Sequence, residues 1–371
     1  MNSRERITRI LSFEEADRVG YSDSDLFPST ITSWRSEGLP EGIEGAWMNV
    51  PGLRYFGMDI YSIWFNASPG YDSILYSETE DYVITRGGSG SKSKHLKRQP
   101  GPPLHLEPAV KNLEEFKERI EPLLDSDDMR RLSSPKYPFR KDLKEVIRSF
   151  QEKFFVTINI PGVIEYAMDL LGGLTPLLTL MMKEPSSASY MFNSIAGFLS
   201  KVGESFIDAG VDALWVFDDE GYRNGPYFSP EVYIRLVQPA HKKICDPFRR
   251  EGLPRILHTD GNVNSLIPHF INAGFTALHP LEAKSGMYVG NLKEKYDGKL
   301  ALIGNIDTRT LSFGTLEDIK NEVISKISLA APGGGYIVSS DGPVPPTVSL
   351  SKYKFFVEVV KKYGRYSVRV W

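Results

Sequence analysis

The chain has 371 residues, of which 41% are hydrophobic and 25% charged, and its formal net charge is −3. This composition is typical of a globular enzyme and argues against nucleic-acid binding. No apolar run approaches the roughly 20 residues that a membrane helix needs, the amino terminus lacks a secretory apolar segment, and the lone cysteine, Cys245, excludes an internal disulfide and a thiolate-rich metal site. We therefore expect a cytoplasmic protein that binds neither nucleic acid nor membranes.

The first 140 residues predict an irregular N-terminal elaboration that contains the first strand. Asn112, with Glu115 three residues later, has the spacing of a helix N-cap. We expect the whole region to lie over or beside the mouth of the fold that follows. Its predicted elements are a helix over 3–13, strands over 17–21, 61–66 and 81–86, a hairpin at Gly87 and Gly88, and a helix over 112–124.

From residue 141 onwards, apolar strand-like runs alternate regularly with amphipathic helical segments. Such alternation indicates right-handed crossovers between parallel strands, and seven or eight of them most simply close into a (β/α)8 barrel. An open doubly wound sheet would need a glycine-rich phosphate turn early in the chain, and the glycines at 87–90 follow a hairpin instead. We predict an α/β fold with a single (β/α)8 barrel domain over 1–371. The predicted strands are 154–160, 213–217, 255–258, 277–280, 300–304 and 335–339, and the helices are 141–153, 163–171, 186–209, 230–251, 264–273, 289–296, 315–331 and 350–363.

Polar or acidic residues follow five of the predicted strands. His258 and Asp260 stand two residues apart at the end of one strand, where alternate residues share a face. The carboxyl ends of parallel strands carry the chemistry of such barrels, so we predict that both residues are functional. The other strand ends contribute Asp218, Asp219, Glu220, Glu282, Asp307 and Asp341.

Further side chains beside these strand ends are predicted to hold the substrate. Among the three consecutive acids we expect Glu220 to face the cleft, followed by Tyr222, Arg223 and Asn224 as substrate-binding residues. Structural alternatives remain open at this point. His258 and Asp260 also fit a buried histidine that a carboxylate orients. Residues 222–224 also fit a role in shaping the loop, and Asp307 also fits a helix cap.

Several segments of the chain carry distinct motifs in a fixed order, namely 5–19, 258–268, 273–278, 303–308, 313–315 and 331–337. Together they resemble the uroporphyrinogen decarboxylase superfamily. The resemblance covers most of residues 1–20 and 140–365 and implies a (β/α)8 barrel. The superfamily contains porphyrinogen decarboxylases, and also methyltransferases that move methyl groups between small methylated substrates, corrinoid proteins and thiols, many of them with zinc.

Departures from the family pattern favour one branch of the superfamily. Porphyrinogen decarboxylases carry an arginine-containing segment after the first strand, but here that stretch begins Tyr21-Ser-Asp23-Ser-Asp25 and would repel a polycarboxylate. Thiol-methylating members carry His-X-Cys and a later cysteine, whereas this chain has His258-Thr-Asp260 and no cysteine after residue 245. The corrinoid-linked demethylating methyltransferases remain, and the segments 220–226 and 279–282 resemble theirs.

That resemblance implies a small methylated or methoxylated substrate, a separate corrinoid protein as methyl acceptor, a zinc ion and a homodimer. Members of this branch often have a histidine near the end of the last strand, where this chain has Ser339-Ser340-Asp341. The alternatives are a decarboxylase of a smaller carboxylate, held by Arg223 and Arg309, and a non-catalytic binding barrel. The implied metal ligands are His258, Asp260, Glu282 and Asp341, and the implied catalytic residues are His258, Asp260, Glu282 and Asp307.

Overall fold

The computed structural model describes residues 1–23, 26–44, 49–97, 103–127 and 143–366. Asp25 and the first two residues of the helix predicted over 141–153 lie outside them. The strands are β1 (Gly20–Tyr21), β2 (Ile60–Trp64), β3 (Ile74–Glu78), β4 (Tyr82–Arg86), β5 (Lys92–Leu96), β6 (Leu104–Glu107), β7 (Phe155–Pro161), β8 (Ala213–Phe217), β9 (Gly221–Tyr222), β10 (Gly225–Pro226), β11 (Arg255–His258), β12 (Ala277–His279), β13 (Ala301–Ile306) and β14 (Tyr336–Ser340). The helices are α1 (Ser3–Leu11), α2 (Pro28–Ser36), α3 (Val50–Phe56), α4 (Leu113–Arg119), α5 (Leu143–Gln151), α6 (Val163–Leu171), α7 (Leu174–Lys183), α8 (Pro185–Ala209), α9 (Pro230–Val232), α10 (Gln238–Arg250), α11 (Ile267–Ala273), α12 (Val289–Tyr296), α13 (Thr308–Phe313), α14 (Leu316–Ala330) and α15 (Leu350–Tyr363).

Eight parallel strands form the central sheet, in the order β1, β14, β13, β12, β11, β8, β7, β2. The two end strands meet, because the backbone N–H of Asp59 donates to the carbonyl of Tyr21 at 2.8 Å. The backbone N–H of Tyr21 donates in return to the Asp59 carboxylate at 2.9 Å. The sheet therefore closes on itself, and the predicted (β/α)8 barrel is confirmed.

The inside of the barrel is a separate apolar core that α1 closes at the amino-terminal end. Ile7 and Ile10 of this helix pack with Ala213 and Trp215 of β8 and with side chains from six other strands. Leu214, which lies between Ala213 and Trp215, belongs instead to the outer core under the helices. Because strand side chains alternate between faces, this pattern defines which residues beyond each strand end face the barrel mouth.

A buried carboxylate stabilises the junction of α1 with the strands. Asp59 has no exposed surface and accepts hydrogen bonds from Arg6 at 2.9 Å and from Arg18 at 2.8 Å and 2.9 Å. The hydroxyl of Ser3 donates to the same carboxylate at 2.7 Å. Two guanidinium groups and a hydroxyl therefore compensate the cost of burying this charge.

The N-terminal elaboration is more regular than we expected. Strands β3 to β6 form a four-stranded antiparallel sheet, of which only the region of β4 and the following hairpin was predicted. Most side chains of β3, β5 and β6 are exposed or half-buried, so no apolar alternation marks them in the sequence. The segment after β6 is fixed to the barrel because the backbone N–H of Ala109 donates to Leu170 in α6 at 2.9 Å.

Helix α7 is a second element that the sequence did not reveal. Gly172 and Gly173 both have positive φ and separate α7 from α6, so the two short helices share no continuous apolar periodicity.

Across the described ranges, no single helix is long and apolar enough to cross a membrane. Helices α6 and α7 reach the required length and apolar character only when they are taken together, and they are bent by 104° relative to each other.

Candidate functional site

The carboxyl ends of β8 and β11 bring two carboxylates and an imidazole together at the barrel mouth. Nε2 of His258 lies 3.7 Å from Oδ1 of Asp219 and 3.9 Å from Oδ1 of Asp260. The backbone N–H of Asp260 donates to Oδ1 of Asp219 at 2.9 Å, which fixes the two strand ends to each other. We refer to Asp219, His258 and Asp260 as the mouth triad.

Strand pleating places the mouth triad on the inner side of the barrel. Trp215 and Phe217 point inwards, and Asp219 continues the same face two residues later. The imidazole of His258 stacks on Phe217, with ring centroids 4.6 Å apart. Trp64, at the end of β2, contacts Phe217 at the same centroid distance. One side of the triad is therefore an aromatic wall.

A second histidine holds the imidazole of His258 in place. Nδ1 of His258 and Nδ1 of His279 lie 2.8 Å apart, so one of the two nitrogens donates and the other accepts. Complete burial, together with the charge of His258, holds the pKa of His279 well below its usual range, so His279 is neutral. The hydrogen bond occupies Nδ1 of His258 and leaves Nε2 directed at the two carboxylates.

Two carboxyl groups at the mouth have strongly raised pKa values. Burial raises the pKa of Asp260 to about 6, with His258 opposing the rise and Asp219 and Glu282 adding to it. Burial, then the charges of Asp219 and other acids, raises the pKa of Glu165 to about 8. Glu165 therefore holds a proton at neutral pH, whereas Asp260 is mostly ionised. Such divergent carboxyl pKa values are typical of acid–base sites.

A cavity of about 370 Å³ opens beside the aromatic wall. Its lining includes the indole of Trp64, the carboxyl of Glu165 and residues of the N-terminal elaboration up to His105. This volume lies in the range of small-molecule pockets. A small substrate in the cavity would contact both an apolar surface and a protonated carboxyl group.

The structure brings His258 and Asp260 together as predicted, but Glu282 and Asp341 do not join them in one ligand group. Glu282 accepts a hydrogen bond from the hydroxyl of Ser285 at 2.6 Å. The carboxylate of Asp341 is fully buried and accepts hydrogen bonds from the backbone N–H groups of Thr308 and Ala283. Asp341 therefore connects the loops after β12 and β13. The proposed roles of Glu282 and Asp341 stay predictions.

Asp307 and the predicted substrate-binding loop are not part of the mouth triad, although the loop lies beside it, because the backbone N–H of Asn262 donates to the carbonyl of Tyr222 at 2.9 Å. Asp307 is the N-cap of α13 and forms a bidentate ion pair with Arg309, which holds the pKa of Asp307 below its usual value against the opposing effect of burial. This geometry matches the cap alternative, and it occupies one of the two arginines considered for a carboxylate substrate. Tyr222, Arg223 and Asn224 are exposed in and after β9. Their substrate contacts stay predictions.

The expectation that Glu220 faces the cleft is wrong. Glu220 has no exposed surface, and its Oε1 lies 3.6 Å from Nε2 of His241 in α10, behind the strand. Its neighbour Asp219 occupies the mouth, because only odd-numbered positions of β8 point inwards.

Asp23, in the acidic stretch that follows β1, is also buried and accepts a hydrogen bond from the hydroxyl of Tyr353 at 2.9 Å.

Sequence reasoning missed Asp219, His279 and Glu165 as site residues. Counting alternate positions from Trp215 identifies Asp219, so that signal was present in the sequence. His279 comes from the neighbouring strand, and its pairing with His258 depends on the register of β11 against β12. Glu165 lies in the first turn of α6, where an acid is common because it stabilises the helix dipole.

The donor set of the mouth triad fits a zinc ion. Zinc accepts histidine nitrogen and carboxylate oxygen ligands at about 2.0–2.2 Å, which separates two tetrahedral ligand atoms by about 3.3 Å. The observed separations of 3.7 Å and 3.9 Å need only small contractions. In addition, Oδ1 of Asp260 is buried and has no hydrogen-bond partner among the described residues. His279 supplies the outer hydrogen bond that commonly orients a metal-binding histidine.

Comparisons with known proteins agree with the barrel and its sequence motifs. A sequence model of the family described as uroporphyrinogen decarboxylase matches residues 110–363. Uroporphyrinogen decarboxylases from Chlorobium limicola and Methylococcus capsulatus are each 24% identical to this chain, over 193 and 188 residues, which is 49% and 50% of this chain and 51% of each relative. The chain thus spans about half the length of these relatives. A methyltransferase from Methanosarcina mazei has a similar structure, with a TM-score of 0.69 and 16% identity over 98% of this chain and 99% of that one.

Proposed function

Because the chain belongs to the uroporphyrinogen decarboxylase family, we propose that it is a methyltransferase of that family, which demethylates a small methylated or methoxylated compound and transfers the methyl group to a corrinoid protein. The observation that carries this proposal is the mouth triad, two carboxylates and an imidazole beside a cavity with a protonated glutamate. The similar structure of a methyltransferase from Methanosarcina mazei supports the proposal, because the same overall fold accommodates methyl transfer there.

The charges at the mouth support this proposal over a polycarboxylate substrate. Asp219, Asp260 and Glu282 raise the local negative potential, whereas the nearby Lys284 lies 3.4 Å from the carboxylate of Glu282. Arg309 is already paired with its own aspartate. A porphyrinogen with many carboxylates would meet repulsion here. A neutral or cationic methylated compound would not.

The side chains have distinct roles in the proposed reaction. Asp219, His258 and Asp260 would hold a zinc ion, which when bound supplies Lewis-acid polarisation of the heteroatom that carries the methyl group. Glu165 donates a proton to that heteroatom as its bond to the methyl carbon breaks and the bonding pair stays on the heteroatom. The methyl carbon accepts a new electron pair from Co(I) of the corrinoid protein. Trp64 excludes water from one side of the cavity.

The proposal can be tested by incubating the protein with free cob(I)alamin and a panel of methylated and methoxylated compounds. Methylcobalamin, followed by its visible spectrum, should form with at least one of them. His258→Gln and Asp260→Asn should each lower the rate by about 100-fold or more, because loss of a direct ligand should exceed the usual effect of outer-shell changes. Asp246→Asn, at a half-exposed acid on α10, should keep the wild-type rate.

A second candidate function is decarboxylation of a small carboxylate, because the curated relatives are decarboxylases and Lys284 is partly exposed near the mouth. Release of CO2 from a small acid without any corrinoid would assign the chain to this function. Absence of both reactions, combined with tight binding of a small molecule, would instead identify a binding barrel. Either result would overturn the methyltransferase proposal.

A further inference from the structure

A second group of metal-type side chains lies behind β8, outside the barrel mouth. Nε2 of His241 lies 2.8 Å from Oδ2 of Asp218 and 3.6 Å from Oε1 of Glu220. None of these three side chains has any exposed surface. We refer to Asp218, Glu220 and His241 as the rear cluster. It faces α10 and the outer core, because residues 218 and 220 point away from the barrel interior.

Glu220 is the anomalous member of the rear cluster. In the described part of the chain, neither of its carboxylate oxygens takes part in a hydrogen bond, although both are completely buried. Buried polar groups almost always have partners, because an unpaired one loses its hydration without compensation. Burial and the charges of Asp218 and Asp219 raise the pKa of Glu220 well above its usual value. The side chain therefore needs either a proton or a cation.

The surrounding backbone is shaped to hold the rear cluster. Gly162 leaves room for the aspartate, because a Cβ there would lie 2.1 Å from Cγ of Asp218. The backbone N–H of Glu165 donates to Oδ1 of Asp218 at 2.8 Å, so Oδ2 is the oxygen that faces His241. The hydroxyl of Tyr233 lies 3.0 Å from Nδ1 of His241.

The position of Tyr233 depends on an unusual piece of helix. The five residues Tyr233–Val237 form a π-helix between α9 and α10. Such widened turns are rare and occur frequently at functional sites. Here the widened turn brings the phenol to the imidazole eight residues later, which fixes the ring and directs its Nε2 at the two carboxylates.

We propose that the rear cluster binds a divalent transition metal, with Zn²⁺ as the ion that its donor set fits best. His241 contributes Nε2, Asp218 contributes Oδ2, and the two unpaired oxygens of Glu220 complete a four-coordinate site. Ligand atoms on tetrahedral zinc lie about 3.3 Å apart, between the observed 2.8 Å and 3.6 Å. Tyr233 then accepts the Nδ1–H hydrogen bond, as an outer partner of a metal-bound histidine usually does.

This site would be structural, because the three ligands are closed off from solvent and leave no open position for a substrate. A metal ion bound by these three side chains would connect the end of β8 to α10. It would lie behind the strand, on the side opposite the side chain of Asp219. The inference does not depend on the proposed methyl transfer, since the mouth triad uses different ligands.

Metal content, measured by mass spectrometry on protein expressed with Zn²⁺ and passed over a chelating column, tests the proposal. Glu220→Gln should lose one equivalent of zinc that the mouth variant His258→Gln retains. Asp246→Asn, on the same helix α10, is the matched control and should keep the wild-type content. If Glu220 is instead a neutral, protonated carboxyl group, glutamine replaces it with little change in shape, and the zinc content should not change. Unchanged zinc content in a folded Glu220→Gln protein would therefore overturn the proposal.

A measurement on the wild-type protein keeps the proposal testable even if the variants do not fold. A colorimetric zinc indicator added to the native protein should leave the zinc ion of the rear cluster in place. Unfolding in guanidinium chloride should release this ion to the indicator. Release of all zinc from the native protein, or absence of zinc after unfolding, would contradict a closed metal site. Failure of the methyl-transfer assay alone would leave this inference intact.

Discussion

Replacing Glu165 should remove a pH dependence from the folding stability of the protein. Burial, followed by the charges of Asp219, Asp218, Asp169 and Asp260, raises the pKa of Glu165 from 4.5 to about 8. The unfolded chain releases this proton near the lower value, and the folded chain keeps it up to the higher value. Between them the folded state binds more protons, so stability falls as the pH rises. At about 1.4 kcal/mol per pH unit, the interval from 4.5 to about 8 corresponds to roughly 5 kcal/mol.

Urea unfolding of wild type and Glu165→Gln measures this effect directly. Both proteins should be treated with a chelator, because a cation at the mouth would lower the pKa of nearby acids. Between about pH 5 and about pH 9, the unfolding free energy of the variant should rise relative to wild type by about 3–5 kcal/mol. Glu152→Gln, at an exposed position after α5, should show no such change. A difference that stays constant within about 1 kcal/mol would refute the argument from burial.

Three further predictions concern the pH dependence of the proposed reaction, the buried carboxylate of Asp59 and the glycine beside the rear cluster. The rate of the proposed reaction should fall on the alkaline side as Glu165 loses its proton, at or below the pKa of about 8 that burial gives this group without a cation, and Glu165→Gln should abolish this alkaline limb in an initial-rate series. Asp59→Asn should lower the unfolding free energy by about 3–5 kcal/mol, because two arginines lose a buried partner; a loss below about 1 kcal/mol in urea titrations would contradict this. Gly162→Ala should cost about 1–3 kcal/mol, because its Cβ would lie 2.1 Å from the aspartate of the rear cluster, whereas Gly225→Ala, which meets open space, should be nearly neutral in the same assay.

The barrel itself was predictable because buried parallel strands and their crossover helices are local sequence patterns. Strands such as 213–217 are short apolar runs with no polar interruption, and helix 163–171 matches α6 to the residue. The antiparallel sheet β3 to β6 was largely missed for the opposite reason. Its strands are exposed and carry mixed polar residues, so nothing in their composition distinguishes them from a loop.

The sequence by itself determined that acids and a histidine gather at the carboxyl ends of the strands. The spacing of His258 and Asp260 was sufficient to place both on one face, because the period of a strand is two residues. Only the tertiary structure decided their partners. The register between neighbouring strands pairs His258 with His279, and the packing of α6 against the sheet brings Glu165 to the mouth. These contacts join residues distant in sequence, and burial, which raises or lowers the pKa values, is a property of the assembled fold.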